Sequence, residues 1–291
     1  MKEKIKNNFK WYFLGLLFLV TGFVWYAVYA EGGTELRVDF LDVGQGDAVL
    51  ITTPSGNQIL IDAGPNKAVL RELSKVMPFY DRSIDVIMES HPDSDHIAGF
   101  IDVLERYEVG MVMKSGVESD SAVYKKLENL IAEKNIKNVL ARKGMKIGLG
   151  DGAEIDILFP DRDVAGMDTN DASIIMKLQY GNKSFLFTGD SPAKMEKYLI
   201  SLDGKNLDSD VLKVGHHGSK TSSSEEFLGY VSPEYAVISA SKDNKYGHPH
   251  QEVLDRLQKF GINILRTDEM ETIKIKTDGE KIEINSVIKG R

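Results

Sequence analysis

The first break in pattern along the chain is residues 11–30, WYFLGLLFLVTGFVWYAVYA, an apolar run without a single charge. As a helix, about 20 such residues cross the roughly 30 Å of a bilayer's hydrocarbon, so one N-terminal transmembrane helix is predicted. From residue 35 onward the pattern shortens and alternates. ELRVDFLDV, DAVLITT and QILIDAG read as three strands, with Pro54, Ser55, Gly56 and Asn57 turning the second into the third. A helical stretch over about 66–76 leads into the apolar strand IDVIMES, and Ile97, Phe100, Ile101 and Leu104 then recur at helical spacing. The middle predicts a helix over about 120–133, strands near 137–140 and 153–158, and a pair, IIMKLQY and SFLFTGD, flanking Gly181 and Asn182. Helices near 192–200, 224–230 and 250–260 alternate with the strands DVLKVG and YAVISA, and TIKIKT and KIEINSV close the series. Two mixed sheets packed face to face, with helices outside, account for this α/β order. With no linker after residue 34, the expected organisation is a basic N-terminus (1–10), an apolar segment (11–30), a short linker (31–34) and one domain (35–291).

Charge orients this arrangement. Lys2, Lys4, Lys6 and Lys10 precede the apolar segment while Glu31 and Glu35 follow it, which by the positive-inside bias leaves the N-terminus in the cytoplasm and the domain outside. Trp11, Tyr12, Trp25, Tyr26 and Tyr29 suit interfacial anchoring. Val28, Tyr29 and Ala30 resemble a signal-peptide cleavage site, so a secreted product is the rival reading, although the run exceeds the usual apolar core of about 7–15 residues. Both readings export the domain. Hydrophobic residues at 42% and charged ones at 27% are those of an ordinary globular protein. The first 30 residues hold four of the 36 basic and one of the 44 acidic residues, so the exported part carries 32 against 43, a formal charge of −11. That balance does not favour broad electrostatic adhesion to nucleic acid, which metal ions and a local basic patch could still overcome at one site. The absence of cysteine excludes disulfides, thiolate ligands and a cysteine nucleophile.

The chemistry concentrates in HPDSDHIAG, residues 91–99, where His91, Asp93, Asp95 and His96 fall within six positions at the end of an apolar strand. In a turning backbone residues 91, 93 and 95 can point one way, and His96 joins them at a helix start. Imidazoles with carboxylates suit divalent zinc, manganese or iron. The plainer alternative makes Asp93 or Asp95 a helix N-cap. All six histidines, at 91, 96, 216, 217, 248 and 250, lie within short motifs rather than scattered over the chain. Gly44 and Gly46 in DVGQGD do not form a dinucleotide fingerprint and instead let the backbone turn close to the metal loop, with Asp47 placed to orient a ligand. Lys220 and the Ser/Thr run 221–224 could meet phosphate oxygens or could form a solvated helix start.

HPDSDHIAG resembles the HxHxDH signature of metallo-β-lactamase-fold hydrolases, with Asp93 where most members carry the second histidine. Together with DVGQGDAVLI, ILIDAG, FLFTGD, GHHGSKTSS and YGHPH it is similar to the hydrolase domains of ComEC-type DNA-uptake channels, over nearly all of residues 35–285. The resemblance implies a four-layer αββα sandwich, two divalent ions (zinc or manganese) and Asp190 as the carboxylate bridging them. It implies a supporting role for Asp62. It places Asn170 where many relatives have a further histidine ligand; His250 is read as a surface or capping residue. For the last ligand it favours His248, with His216 or His217 as phosphate contact or proton donor, and leaves the reverse open. Asp95 then serves the reaction as well as the metal.

The function implied is an extracytoplasmic two-metal hydrolase, a phosphodiesterase or DNase acting on nucleic acid, tethered to the membrane by its own helix. A hydrolase of teichoic acid or another cell-envelope phosphodiester fits the acidic charge, and a non-catalytic metal-binding scaffold in a membrane complex is the reading from a different class. No protein partner can be named from the chain.

Overall fold

The computed structural model describes residues 2–31, 33 and 35–285. Gly32 and Thr34 of the expected linker and the end of KIEINSV beyond Asn285 lie outside the described residues, as do the side chains of the Val28, Tyr29 and Ala30 site. Helix α1 (Lys2–Glu31) contains the apolar window Phe9–Tyr26, long and apolar enough to cross a membrane.

The first sheet is built from β1 (Leu36–Phe40), β2 (Val49–Thr52), β3 (Gln58–Ile61), β4 (Ser83–Glu89), β5 (Glu108–Lys114) and β6 (Lys137–Leu140). The second holds β7 (Lys146–Gly150), β8 (Ala153–Phe159), β9 (Ile175–Tyr180), β10 (Lys183–Phe187), β11 (Val211–Lys213), β12 (Tyr235–Ile238) and β13 (Asn263–Arg266). The last two strands, β14 (Ile273–Thr277) and β15 (Ile282–Asn285), return to the first sheet, whose order is β15-β14-β1-β2-β3-β4-β5-β6. The second runs β13-β12-β11-β10-β9-β8-β7. Helices α2 (Ala68–Val76), α3 (Ser94–Arg106) and α4 (Ala122–Glu133) cover the first sheet, and α5 (Ala193–Asp203), α6 (Glu225–Val231) and α7 (Gln251–Lys259) cover the second; α8 (Thr267–Met270) is a single turn.

Alternation in the strands sorts side chains into layers, since successive residues point to opposite faces. In β1, Leu36, Val38 and Phe40 enter the core between the sheets, where they meet Val49, Ile51, Ile155, Met176, Phe185 and Phe187. Phe40 and Phe187 stack across that core with centroids 6.2 Å apart. Leu50, Leu60 and Ile87 point the other way, against Phe100 and Leu104 of α3 and Leu73 of α2. A third cluster joins Leu186, Leu212 and Ala236 to Leu199, Phe227 and Leu257. Three apolar layers between four layers of backbone make the αββα sandwich.

Strands β3, β4, β5 and β6 run parallel to one another, as do β10, β11, β12 and β13. The loops after β4, β10, β11 and β12 carry His91 to His96, Asp190, His216 with His217, and His248. Loops at the carboxyl ends of parallel strands are where open α/β sheets collect their chemistry.

Candidate metal centre

The segment after β4 turns directly into α3, and Asp93 occupies the helix N-cap position with extended φ −80°, ψ 144°. Its side chain makes no capping hydrogen bond. The capping alternative therefore leaves the Asp93 carboxylate unexplained, and it lies 3.7 Å from His91 Nε2. Asp95 and His96 form the first turn of α3. Gly46 allows the approach from below: a Cβ there would sit 2.1 Å from the Asp95 carbonyl oxygen, so the glycine lets the DVGQGD loop press against the HPDSDH turn.

Asp190 follows β10 through Gly189, whose φ of +51° and contacts with Ser173 and Ser90 leave little room for a side chain. After β11, a single 3-10 turn over Gly215–Gly218 holds His216 (φ 49°) and His217 (φ 53°) both in the left-handed region. Such non-glycine conformations cost on the order of 1–3 kcal/mol each and persist where the surroundings over-determine them. Their effect is to turn His217 inward, fully buried, while His216 stays at the rim with 28% of its side chain exposed.

Hydrogen bonding fixes which nitrogen each buried imidazole presents. Ser90 donates its hydroxyl to Asp62 Oδ2 at 2.6 Å, so toward His91 Nδ1, 2.9 Å away, the oxygen can only accept. His96 Nδ1 donates to Asp62 Oδ2 at 2.8 Å. His217 Nδ1 faces two acceptors, the Ser239 carbonyl at 3.0 Å and Asp47 Oδ1 at 3.3 Å. In all three Nδ1 is engaged, which leaves Nε2 as the nitrogen turned toward Asp190. Nε2 of His91, His96 and His217 and Oδ1 of Asp190 are buried with no hydrogen-bond partner. Three orphaned imidazole nitrogens gathered around Asp190 in a protein interior, where nearly every polar group is satisfied, call for a ligand.

Distances identify its kind. Asp190 Oδ2 lies 3.4 Å from Nε2 of both His96 and His217, and Asp95 Oδ2 lies 3.4 Å from His217 Nε2. A tetrahedral ion with bonds of 2.0–2.1 Å separates its ligand atoms by about 3.3–3.4 Å. The set thus fits a divalent cation in size and in donor chemistry. Overlapping metal-sized groups share His96 or Asp190: His91, His96 and Asp190; Asp95, His96 and His217; Asp47, Asp62 and His96; and Asp47, Asp190 and His217. Asn170 Oδ1 is also buried without a partner.

The electrostatics agree. Burial opposes charge on His96, yet Asp190 and Asp62 hold its pKa well above the ordinary imidazole value, and Asp190 and Asp47 push His217 up to about 9 against the same opposition. Burial would raise the Asp190 carboxyl, but His217 and His96 hold it well below the usual carboxylate range. An anionic nest that draws protons onto buried imidazoles offers the same sites to cations. His91 behaves differently, since burial and its neighbour His96 lower it to about 4, which keeps the ring neutral with its lone pair available.

The structure brings His91, Asp95, His96, Asp190 and His217 together, with Asp93 beside His91. His216 Nε2 is 3.8 Å from Asp190 Oδ2. Among the described residues His248 joins no metal-sized group; its ring centroid is 6.4 Å from that of His217 and 5.5 Å from that of His216. His250 stands outside the cluster at the start of α7, with its Nδ1 3.3 Å from the Lys220 amide. Sequence reasoning had no role for Ser90, Ser239 or Lys213. Lys213 is visible as a charge set between apolar neighbours in VLKV, residues 211–214; it is buried and paired with Asp47, which in turn meets His217. Ser239 contributes only a backbone carbonyl, which no side-chain pattern can announce.

Residues 41–242 match the family model of the metallo-beta-lactamase superfamily. The chain is 31% identical over 268 residues to ComE operon protein 3 of Bacillus subtilis and 34% identical over 254 residues to competence protein ComA of Neisseria gonorrhoeae, covering 86% of this chain in each case. Those alignments take in 34% and 33% of the relatives, so the chain spans about a third of their length. Among solved structures, the metallo-beta-lactamase fold protein YhfI of Bacillus subtilis superposes with a TM-score of 0.54 at 13% identity, covering 86% of this chain and 100% of that one, a likeness of fold. Sandwich, cluster and sequence agree that the chain belongs to the metallo-beta-lactamase superfamily.

Proposed function

We propose that the domain is a two-metal phosphodiesterase that cleaves nucleic acid, DNA above all, outside the cytoplasmic membrane. The observation that carries this reading is the set of three buried, unpartnered Nε2 atoms, of His91, His96 and His217, around the Asp190 carboxylate. His91, Asp93 and Asp190 would hold one ion; Asp95, His96, His217 and Asp190 the other. Zinc and manganese both suit these donors, and the 3.4 Å spacing favours the tetrahedral habit of zinc. When bound, such ions activate water at neutral pH and offset charge on phosphate oxygens. The chain's own residues do the rest. Asp62 and Asp47 fix His96 and His217, Ser90 fixes His91, and the half-exposed His216 at the rim delivers a proton to the leaving oxygen. His217 thus takes the ligand place that the resemblance favoured for His248. The names of the relatives, a competence protein and a recombination protein among them, point the substrate toward DNA.

The full chain, solubilised in detergent and loaded with manganese or zinc, is expected to hydrolyse bis-p-nitrophenyl phosphate and linear single-stranded DNA. Faster turnover of a glycerol phosphate polymer than of any DNA would instead make it a cell-envelope hydrolase. Two bound ions with no hydrolysis of any diester would make it a scaffold.

We also infer that α1 stays in the membrane and exposes the domain on the outer side, on the strength of the four lysines before the apolar run and the glutamates after it. A reporter fused behind Arg291 is expected to be active outside the cytoplasm and to sediment with membranes. A soluble secreted product would show cleavage after Ala30.

A further inference from the structure

The loop from Ser241 to His250, which follows β12 and borders the histidine cluster, carries a feature that metal binding does not need. Tyr246 stands at its apex, 54% exposed, in a domain whose phenylalanines are mostly interior. Its ring stacks on His248, centroids 5.7 Å apart and planes at 23°. His248 in turn lies 6.4 Å from the His217 ring, so two ring contacts lead from the exposed tyrosine to the proposed ligands.

An exposed tyrosine on a loose loop would signify little. This loop is tied from within: the Asn244 side-chain amide donates to the carbonyls of Ser241 at 2.7 Å and His248 at 2.5 Å, and its oxygen accepts from the amides of Tyr246 at 3.1 Å and His248 at 2.9 Å. One asparagine thereby closes the turn and holds the ring in place before any ligand arrives, which removes part of the ordering cost of binding. Gln45 Oε1 accepts from the Ser241 amide, joining the loop to the DVGQGD segment of the site.

The charge around it runs against the rest of the domain. Within the loop Lys242 and Lys245 outnumber the single Asp243, and Lys220 is brought alongside by the contact of its amide with His250. The exported part as a whole is −11, so cations gathered at the rim mark where polyanions are admitted. The Lys245 ammonium lies 5.0 Å from the Tyr246 centroid. It is a flexible cation that an incoming base can displace toward its own phosphate.

We infer that Tyr246, backed by His248 and flanked by Lys220, Lys242 and Lys245, is a stacking subsite for a base of single-stranded nucleic acid, which feeds the adjoining phosphodiester toward the metal cluster. The inference rests on the phosphodiesterase reading and names the substrate form it takes. A duplex keeps its bases inside the stack and offers the ring no π-face, and a glycerol phosphate polymer has none. Stacking one base on an aromatic side chain is worth roughly 1–3 kcal/mol, or about 5-fold to 150-fold in affinity.

The test measures anisotropy of labelled, cleavage-resistant phosphorothioate strands on the full metal-loaded chain, comparing a short oligothymidylate with an abasic strand of equal length. The native protein is expected to prefer the thymidylate by about tenfold. Tyr246→Ala should erase that preference, and Tyr246→Phe, which retains the ring, should keep it. Equal binding of the two strands by the native protein, or an undiminished preference in Tyr246→Ala, overturns the subsite, as does a glycerol phosphate polymer whose binding depends on Tyr246 to the same degree. Failure of the native protein to hydrolyse bis-p-nitrophenyl phosphate would refute the phosphodiesterase reading separately, because the strand comparison measures binding alone.

Discussion

Asp190→Ala is expected to abolish retention of both metal ions and to lower phosphodiester hydrolysis by about 1,000-fold or more. Its carboxylate faces His96 and His217 at 3.4 Å and belongs to two metal-sized groups, one with His91 and His96 and one with Asp47 and His217, so no neighbour can replace it. A bound ion supplies several kcal/mol of transition-state stabilisation, and each 1.36 kcal/mol is a factor of ten in rate. The late histidines divide the effect. His217→Ala should lose one ion of the two, because its Nε2 also meets Asp95 Oδ2 at 3.4 Å. His248→Ala should keep both ions, since among the described residues His248 belongs to none of the metal-sized groups. His216→Ala should also keep both and yet lose about 100-fold to 10,000-fold in rate, the size of a general-acid contribution, with a smaller loss for p-nitrophenolate, which leaves without a proton. Metal analysis after dialysis decides the matter: two ions retained in His217→Ala with one lost in His248→Ala would reverse the assignment.

The late histidines also show where reading the chain stops. HPDSDHIAG stands out in the sequence because four candidate donors fall in six consecutive positions after an apolar strand, and the fold gathers His91, Asp95 and His96 of them into metal-sized groups. GHHGSKTSS gives two adjacent histidines, and adjacency alone cannot say which points inward. That is settled by a left-handed pair of residues, a backbone state with no signature in residue type. The same division runs through the fold. Alternation revealed β1, β2, β3, β8 and β9 because each has one apolar face or a run of branched residues. β5 went unread: EVGMVMK contains Gly110, which is required because a Cβ there would approach the Asp85 carbonyl oxygen at 2.7 Å. β7 (KIGLG) carries two glycines, and β13 (NILR) is a four-residue edge strand, too short for alternation to stand out. The start of α3 at Ser94 rather than Ile97 has the same origin, since the first turn, Ser94, Asp95 and His96, is polar and lacks the apolar spacing that marks a helix.

Lys213→Met is expected to destabilise the domain by roughly 3–5 kcal/mol, the usual result of removing one partner from a buried ion pair. Lys213 is 2% exposed and Asp47 3%, and the ammonium contacts Asp47 Oδ2 in the interior. Burial by itself would raise the Asp47 carboxyl, but Lys213 and then His217 hold it below the usual carboxylate range. Methionine fills a similar volume and leaves the carboxylate without its main counter-charge, so the cost is electrostatic rather than a packing void. For a domain of this size that corresponds to a fall in Tm on the order of 10 °C. The sign with pH follows from the lowered carboxyl. Below the ordinary aspartate range the unfolded chain takes up a proton that the folded protein refuses, so the pair's contribution is complete at neutral pH and is lost as pH falls through the folded value. The gap between Lys213→Met and the native protein should therefore be widest near pH 7 and narrow in acid. Adding Asp47→Asn to Lys213→Met should restore most of the lost stability, because the buried charge goes with its partner, while His217 loses the carboxylate that orients it. Metal affinity should then fall by about 10-fold to 100-fold although the fold has recovered, as expected when the group behind a histidine ligand is removed. Unfolding midpoints for the two variants decide the claim: a single variant within about 1 kcal/mol of the native protein, a value ordinary for an exposed pair, would show that Lys213 does not neutralise Asp47 in the interior.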